Sequence, residues 1–237
     1  MFLSSMKLGI QSYSLRKLTY ENALKVMSEL GISYVEAFPR HLPPSSNSVK
    51  DIINLHKENG VKVIAHGVNH LKSDKKELRS IFDFANKVEI EVITADPDED
   101  CLNLMSDLVK EYDIKVAIHN HGPYHRWGSY KKIYEFTKNL DYRVGMCLDL
   151  AHLFRYGENP IEAVNTLRDR IHDIHVKDVN NKGEDVIVGS GILDVKGVIG
   201  KVKELNLDIP LMIEYEPEPE NPLPGIVKSL EYVKKLL

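Results

Sequence analysis

Eight short apolar runs alternate with eight longer amphipathic ones along this 237-residue chain, and that order constrains its fold more than any single motif. The strand-like runs are LGIQSYS (8–14), YVEAF (34–38), VKVIAHGV (61–68), EVITAD (91–96), KVAIHNH (115–121), RVGMCLDLAH (143–152), RIHDIHVKD (170–178) and PLMIEYEP (210–217). Helix-length segments lie between them at 20–31, 48–60, 74–88, 100–112, 129–140, 160–168, 194–205 and 222–236. In the first, Ala23, Leu24, Met27 and Leu30 share a face and Gly31 is placed to cap the C-terminus. The second repeats the design with Ile52, Ile53, Leu55 and Gly60. Pro160 and Pro222 suit first helical turns, and Asp194 suits an N-cap.

Strict βα alternation implies a parallel sheet with helices outside it. Eight such units in a chain of this length predict one α/β domain over 1–237, closed as a (β/α)8 TIM barrel rather than an open doubly wound sheet. The formal charge of −4 and pI near 6.2 give no electrostatic reason to expect nucleic acid, and no basic run is visible. Cys101 and Cys147 lack any paired-motif spacing, so no disulfide framework is expected. The start, MFLSSMKLGI, is too short and too weakly apolar for a signal peptide, and Met6 is an alternative initiator. No apolar run approaches the roughly 20 residues of a membrane helix. A cytoplasmic protein without membrane contact is the expectation.

In such barrels the active site forms at the carboxyl ends of the strands. Here the first run ends with Gln11 and Tyr13, the second with Glu36, the third with His66 and then His70, and the fourth with Asp96. The fifth ends with His119 and His121, the sixth with Asp149 and His152, the seventh with His175, Lys177 and Asp178, and the eighth with Glu214 and Glu216. Alternation puts Ala117, His119 and His121 on one face, Cys147 with Asp149, Asp173 with His175 and Lys177, and Met212 with Glu214 and Glu216. The large aliphatics take the other face. Four successive strands thus aim histidine or carboxylate into the barrel mouth. Burying those charges together costs several kcal/mol unless they pair or bind a cation.

One divalent metal ion held by His119, Asp149, His175 and Glu214 is the economical explanation. Two imidazoles and two carboxylates suit Mn²⁺, Co²⁺, Fe²⁺ or Zn²⁺ better than Ca²⁺ or Mg²⁺. Each residue alone also reads as a hydrogen-bonded or ion-paired structural group; the coincidence over four strands favours the metal. Gly189-Ser190-Gly191 reads either as an anion cradle or as a plain tight turn.

These strand endings resemble the sugar phosphate isomerase/epimerase family, the xylose isomerase-like barrels that include endonuclease IV. The likeness covers nearly the whole chain and rests on GMCLDLAHLFRYGENPIEAV with Asp149 and His152, RIHDIHVKD with His175 to Asp178, VGSGILDVKGVI, and PLMIEYEP. It implies a divalent metal on Asp149, His175 and Glu214, with a fourth ligand where the family often has glutamate and this chain has His119; His121 is the second choice. It also implies an enzyme that moves a proton next to a carbonyl of a sugar or polyol-derived ketone through an enediolate. Glu214 is the expected base, and His119, His121 or Lys177 the opposing acid. Lys177 reads alternatively as neutralising Asp178. His152, Glu36, His66 and Tyr13 are the expected substrate contacts, each with a structural alternative. His125 is expected to be an exposed or substrate-facing loop residue.

Because only Glu214 keeps the family's double role, dehydration of a keto-sugar or inosose is the leading alternative to isomerisation or epimerisation. An endonuclease IV-like nuclease is disfavoured, since the fourth run ends without histidine, the bridging glutamate is absent and the charge is acidic. A non-catalytic sugar-binding barrel is the remaining class. It would bind ligand without exchanging its protons with solvent. Family members are often dimers or tetramers, which implies a homo-oligomer by resemblance only.

Overall fold

A computed structural model describes residues 6–45 and 48–237; the first five residues, and with them the reading of the amino terminus, lie outside the described residues. The strands are β1 (Leu8–Gln11), β2 (Tyr34–Ala37), β3 (Lys62–Leu71), β4 (Val92–Pro97), β5 (Lys115–His119), β6 (Val144–Asp149), β7 (Ile171–Val176), β8 (Asp178–Val179), β9 (Asp185–Val186) and β10 (Leu211–Ile213). The helices are α1 (Tyr20–Glu29), α2 (Val49–Asn59), α3 (Lys75–Val88), α4 (Leu102–Tyr112), α5 (Tyr130–Thr137), α6 (Leu150–Tyr156), α7 (Pro160–Leu167), α8 (Val195–Glu204) and α9 (Leu223–Lys234). Eight strands close into an all-parallel barrel in the order β1-β2-β3-β4-β5-β6-β7-β10, as the alternation predicts. No helix among the described residues is long and apolar enough to cross a membrane.

Local chemistry sets the helix ends. Ser48 caps α2 by accepting from Asp51 N–H at 3.1 Å, and Gly60 ends it at φ 64°, a conformation open to glycine. Asp194 caps α8, and Pro160 opens α7 behind the cap of Asn159. The predicted strand ends were less sharp. The run 143–152 stops as a strand at Asp149, whose side chain caps a ninth helix, α6, by accepting from His152 N–H. The first run ends at Gln11, and Ser12–Leu15 turn as a 3₁₀ helix, so Tyr13 leaves the sheet.

The main apolar core lies between strands and helices, where residues such as Ile10, Val35, Ile93, Ile118, Leu148 and Ile174 point outward onto the helix ring. Inside the barrel a separate small cluster, Ala65, Val92, Ala117 and Cys147, forms a layer of small residues. The polar strand ends stand above it, as the alternation of Ala117 with His119 and Cys147 with Asp149 requires.

Asp178 and His172 occupy structural positions. Asp178 is buried, and its carboxylate accepts from Val179 and Leu193 N–H at 2.9 and 3.0 Å, and from Gly189 and Gly191 N–H at 2.9 and 3.0 Å. The glycine pair therefore spends its N–H groups on an internal carboxylate. That decides the loop as a clamped turn over the β8–β9 hairpin rather than an anion cradle. It also corrects the pairing of Lys177 with Asp178, since Lys177 reaches other acids. His172 lies in β7 below the mouth, where Nε2 donates to the Tyr142 carbonyl at 2.9 Å. Burial pushes its pKa down to about 4.

Asp178→Ala leaves four backbone N–H donors, that of Val179 buried, without their acceptor and is expected to destabilise the protein by about 2–3 kcal/mol, read as a lower urea midpoint. His172 is neutral when folded and protonates more readily when unfolded. Stability should thus fall as pH drops from about 6.5 toward about 4, by up to about 3 kcal/mol from this residue. His172→Gln should flatten that part of the pH–stability curve; an unchanged slope would show that His172 does not contribute.

Candidate active site

Each polar group at the barrel mouth comes from a different strand, and register brings them together. His119 ends β5 opposite Cys147, Asp149 ends β6 opposite His175, and His175 lies opposite Met212, two residues before Glu214. His119, Asp149, His175 and Glu214 each offer a ligand atom, and the four atoms lie within 4.8 Å of one another. His119 Nε2 is 3.2 Å from His175 Nδ1 and 3.6 Å from Asp149 Oδ2, while His175 Nδ1 is 3.1 Å from Glu214 Oε2. All four residues are buried.

Lys177, also buried, enters the same space. Its Nζ is 3.1 Å from Asp149 Oδ2 and 2.9 Å from Glu214 Oε2, and it bonds Glu216. Neither Asp149 Oδ2 nor Glu214 Oε2 makes an aligned hydrogen bond, and His119 Nδ1 has no partner. Burial alone would favour the neutral acids. Lys177 outweighs it and, with His152 at Asp149 and His175 at Glu214, holds both carboxyls below their usual range. Lys177 itself is raised well above its usual value, because those carboxylates outweigh its burial. Burial lowers His119, whereas Cys147, Glu36 and Glu214 together overcome the burial of His175 and raise it. A charged His175 therefore donates toward a neutral His119.

Behind this cluster lies a second polar layer. Glu36 is fully buried, with Oε2 2.6 Å from His175 Nε2 and a hydrogen bond from Thr94. It orients His175 from behind rather than facing the open mouth, which corrects the expectation of a substrate contact. A carboxylate on the far nitrogen of a histidine fixes which ring nitrogen faces a metal. Asp173 shares this layer with neither oxygen hydrogen-bonded, and burial together with Glu36 raises its pKa, so it keeps its proton. His66 is likewise walled in. Its Nε2 donates to the Leu42 carbonyl at 2.9 Å, Asn69 donates to its Nδ1 at 3.1 Å, and its ring packs edge-on to Phe84. It, too, is not placed to meet substrate.

The loop after β5 is pinned by Trp127, whose buried indole donates to the Pro97 carbonyl at 2.8 Å. This hangs His121 beside the cluster, with ring centroids 4.7 Å from His119 and 6.0 Å from His152. His121 Nε2 has no partner, and burial with neighbouring imidazoles lowers its pKa to about 3. His152 is part-exposed 5.8 Å from His119, and its backbone N–H donates to Asp149. His125 is half-buried, accepting from Trp127 N–H at 3.2 Å. Asp96, His121 and His125 also converge, but Arg126 already pairs with Asp96 and the Trp127 N–H already occupies His125 Nδ1. Tyr13 stands apart on the rim, edge-on to Phe38 under the Arg16 guanidinium.

Two residues important to this geometry had weak sequence signals. Asp173 shares the inward parity of His175. Asn120, which accepts from the Asp149 backbone N–H at 2.7 Å and donates to its carbonyl at 3.0 Å, sits in the HNH run as the residue between two conspicuous histidines. Thr94 carries no signal beyond its parity in β4.

A family model described as xylose isomerase-like TIM barrel matches residues 24–236. A crystal structure of a Parabacteroides distasonis protein of uncharacterised function is 30% identical, covers 99% of this chain and 100% of its own, and superposes with a TM-score of 0.77. The solved structure of a protein named IOLI with a bound zinc atom has 19% identity, 98% coverage of both chains and a TM-score of 0.81, a likeness of fold. An inosose dehydratase of Clostridium botulinum is 27% identical over 157 residues, 56% of this chain and 52% of its own length. The chain thus matches about half the length of that curated relative. The barrel, its strand-end residues and the family match over nearly the whole sequence agree: this chain belongs to the xylose isomerase-like TIM barrel family.

Proposed function

We propose that this protein is a divalent-metal-dependent enzyme that moves a proton next to a carbonyl of a sugar-like ketone, isomerising or epimerising it. The observation that carries this reading is the convergence of His119 Nε2, His175 Nδ1, Asp149 Oδ2 and Glu214 Oε2, two of them buried oxygens without an aligned hydrogen bond. That donor set fits one Mn²⁺, Co²⁺, Fe²⁺ or Zn²⁺ ion. When bound, such an ion supplies Lewis acidity that polarises a substrate carbonyl or hydroxyl.

The chain's own groups divide the remaining work. Glu214 is kept ionised by Lys177 and His175 and accepts the proton from the substrate carbon. As long as Lys177 grips it, Glu214 is a weak base. As the proton passes to Glu214, the negative charge developing on the substrate oxygen draws the ammonium toward itself, so Lys177 loosens its grip on Glu214 in the same step. Lys177 holds its own proton too tightly to give it up, so it serves as a hydrogen-bond donor to that oxyanion. His121, neutral with an unpartnered Nε2, relays the returning proton, and part-exposed His152 beside it lines the approach, with Tyr13 farther out on the rim. One carboxylate base set among imidazoles is an unsymmetrical pair. That favours a second reading, dehydration, in which one group removes a proton and another protonates a departing hydroxyl. The inosose dehydratase relative supports it.

Elemental analysis after Mn²⁺ or Zn²⁺ loading and desalting is expected to find about one ion per chain, and Asp149→Asn to weaken its retention at least tenfold. Unchanged retention would remove Asp149 from the ligand set. Ketoses and inososes incubated with loaded enzyme in D₂O are expected to take up deuterium beside the carbonyl. An isomeric product supports the first reading, and loss of water supports the second. Glu214→Gln should slow exchange by roughly 10²–10⁴-fold. Full exchange by that variant would exclude Glu214 as the base.

A further inference from the structure

A cavity of about 630 Å³ opens at the barrel rim between the segments that follow β1 and β2. Its lining includes Tyr13, Arg16, Lys17, Phe38, Arg40 and His41, and no Asp or Glu. Three full cations on one acid-free wall are unexpected in a chain of net charge −4.

Their partners leave most of that charge uncompensated. Arg16 spends its guanidinium on two neutral carbonyls, Tyr13 O at 3.2 Å and Glu216 O at 2.9 Å, and on the face of the Tyr13 ring at 4.5 Å. Among the described residues Lys17 pairs only with Glu220, and both side chains are more than half exposed, a contact that water screens heavily. Arg40 is exposed, and no ion pair or hydrogen bond engages it among the described residues. Ser12 holds the floor, binding His41 Nδ1 at 3.0 Å and accepting the Phe38 N–H at 2.8 Å, so the two rim segments are joined.

The cavity is tied to the catalytic cluster through one residue. The Glu216 carbonyl accepts from Arg16, and the Glu216 side chain bonds Lys177, which touches Asp149 and Glu214. Glu216 thus joins the two, its side chain on the cluster's Lys177 and its carbonyl on the cavity's Arg16. The Gly189–Gly191 turn, the other candidate for an anionic group, is closed by Asp178.

We infer that the Arg16–Arg40 cavity is a subsite for an anionic substituent, so that the substrate is an acidic sugar carrying a phosphate ester or a carboxylate. Two guanidiniums free of carboxylate partners suit bidentate recognition of either group. This rests on the proposed keto-sugar chemistry for its substrate, but its binding test does not.

Isothermal titration of the metal-loaded protein with inorganic phosphate, a ketose phosphate, a keto-uronate and the matching neutral ketose reads binding directly. The expected result is at least tenfold tighter binding of one acidic sugar than of the neutral ketose, weakening as salt rises. Which acid binds identifies the substituent. In Arg40→Ala the acidic-to-neutral preference should fall three- to tenfold, and in Arg16→Ala/Arg40→Ala at least tenfold, with circular dichroism checking the fold. Arg40, exposed and untethered, can be removed without disturbing the rim should the double variant unfold. Equal affinity for acidic and neutral ketoses, or a preference that survives Arg40→Ala, would overturn the subsite. Acidic ligands that bind through Arg40 yet show no deuterium exchange would leave the subsite standing and refute the chemistry. Deuterium exchange into neutral ketoses with no acidic preference would do the reverse.

Discussion

Everything at the mouth of this barrel depends on how buried charge is balanced around Lys177 and His175. Two ionised carboxylates, Asp149 and Glu214, stand almost without water, and the buried Asp173 behind them avoids a further charge by keeping its proton. Isolated, such groups would each cost several kcal/mol to bury. Two internal cations, Lys177 and His175, both against Glu214 Oε2, make the arrangement tolerable.

The closed sheet is what makes the pairing feasible. Parallel strands in a barrel deliver their carboxyl ends to a common ring, so five strands each contribute one to three groups without any loop having to find the others. Below them, the small side chains of Ala65, Val92, Ala117 and Cys147 leave room for the long reach of Glu36 to His175. Above them, Asp149 is held twice over. Asn120 grips its backbone, and helix α6 takes its side chain as a cap. A residue that both ends a strand and begins a helix has little freedom to swing, which suits a metal ligand or an electrostatic anchor equally well.

The barrel and its inward faces were legible in the sequence because both follow from periodicity: strand parity alone brought His119, Asp149, His175 and Glu214 to one ring. Depth was not legible. Glu36 and His66 have the same strand-end signature as the ligand candidates, but parity reports direction and not how far down the barrel a side chain sits or what covers it. The partner of Lys177 was misjudged for a related reason. Sequence offers Asp178 as its neighbour, whereas alternation turns adjacent residues to opposite faces and gives Asp178 four backbone N–H groups instead. The short helix α6 was hidden because Leu150 and Ala151 continue the apolar run of β6, and only the capping geometry of Asp149 marks the break.

The position of Lys177 among the would-be ligands also bears on the life history of the protein. Many small metal sites are assembled only as the ion arrives, since their ligands repel one another without it. Here an ammonium group already sits 3.1 and 2.9 Å from the two ligand carboxylates. A chain that brings its own counter-ion can complete its barrel on the ribosome's schedule and acquire metal afterwards, by exchange rather than by co-assembly. Under the proposed metal chemistry, supply of the ion would limit how many copies are active, not how many are folded.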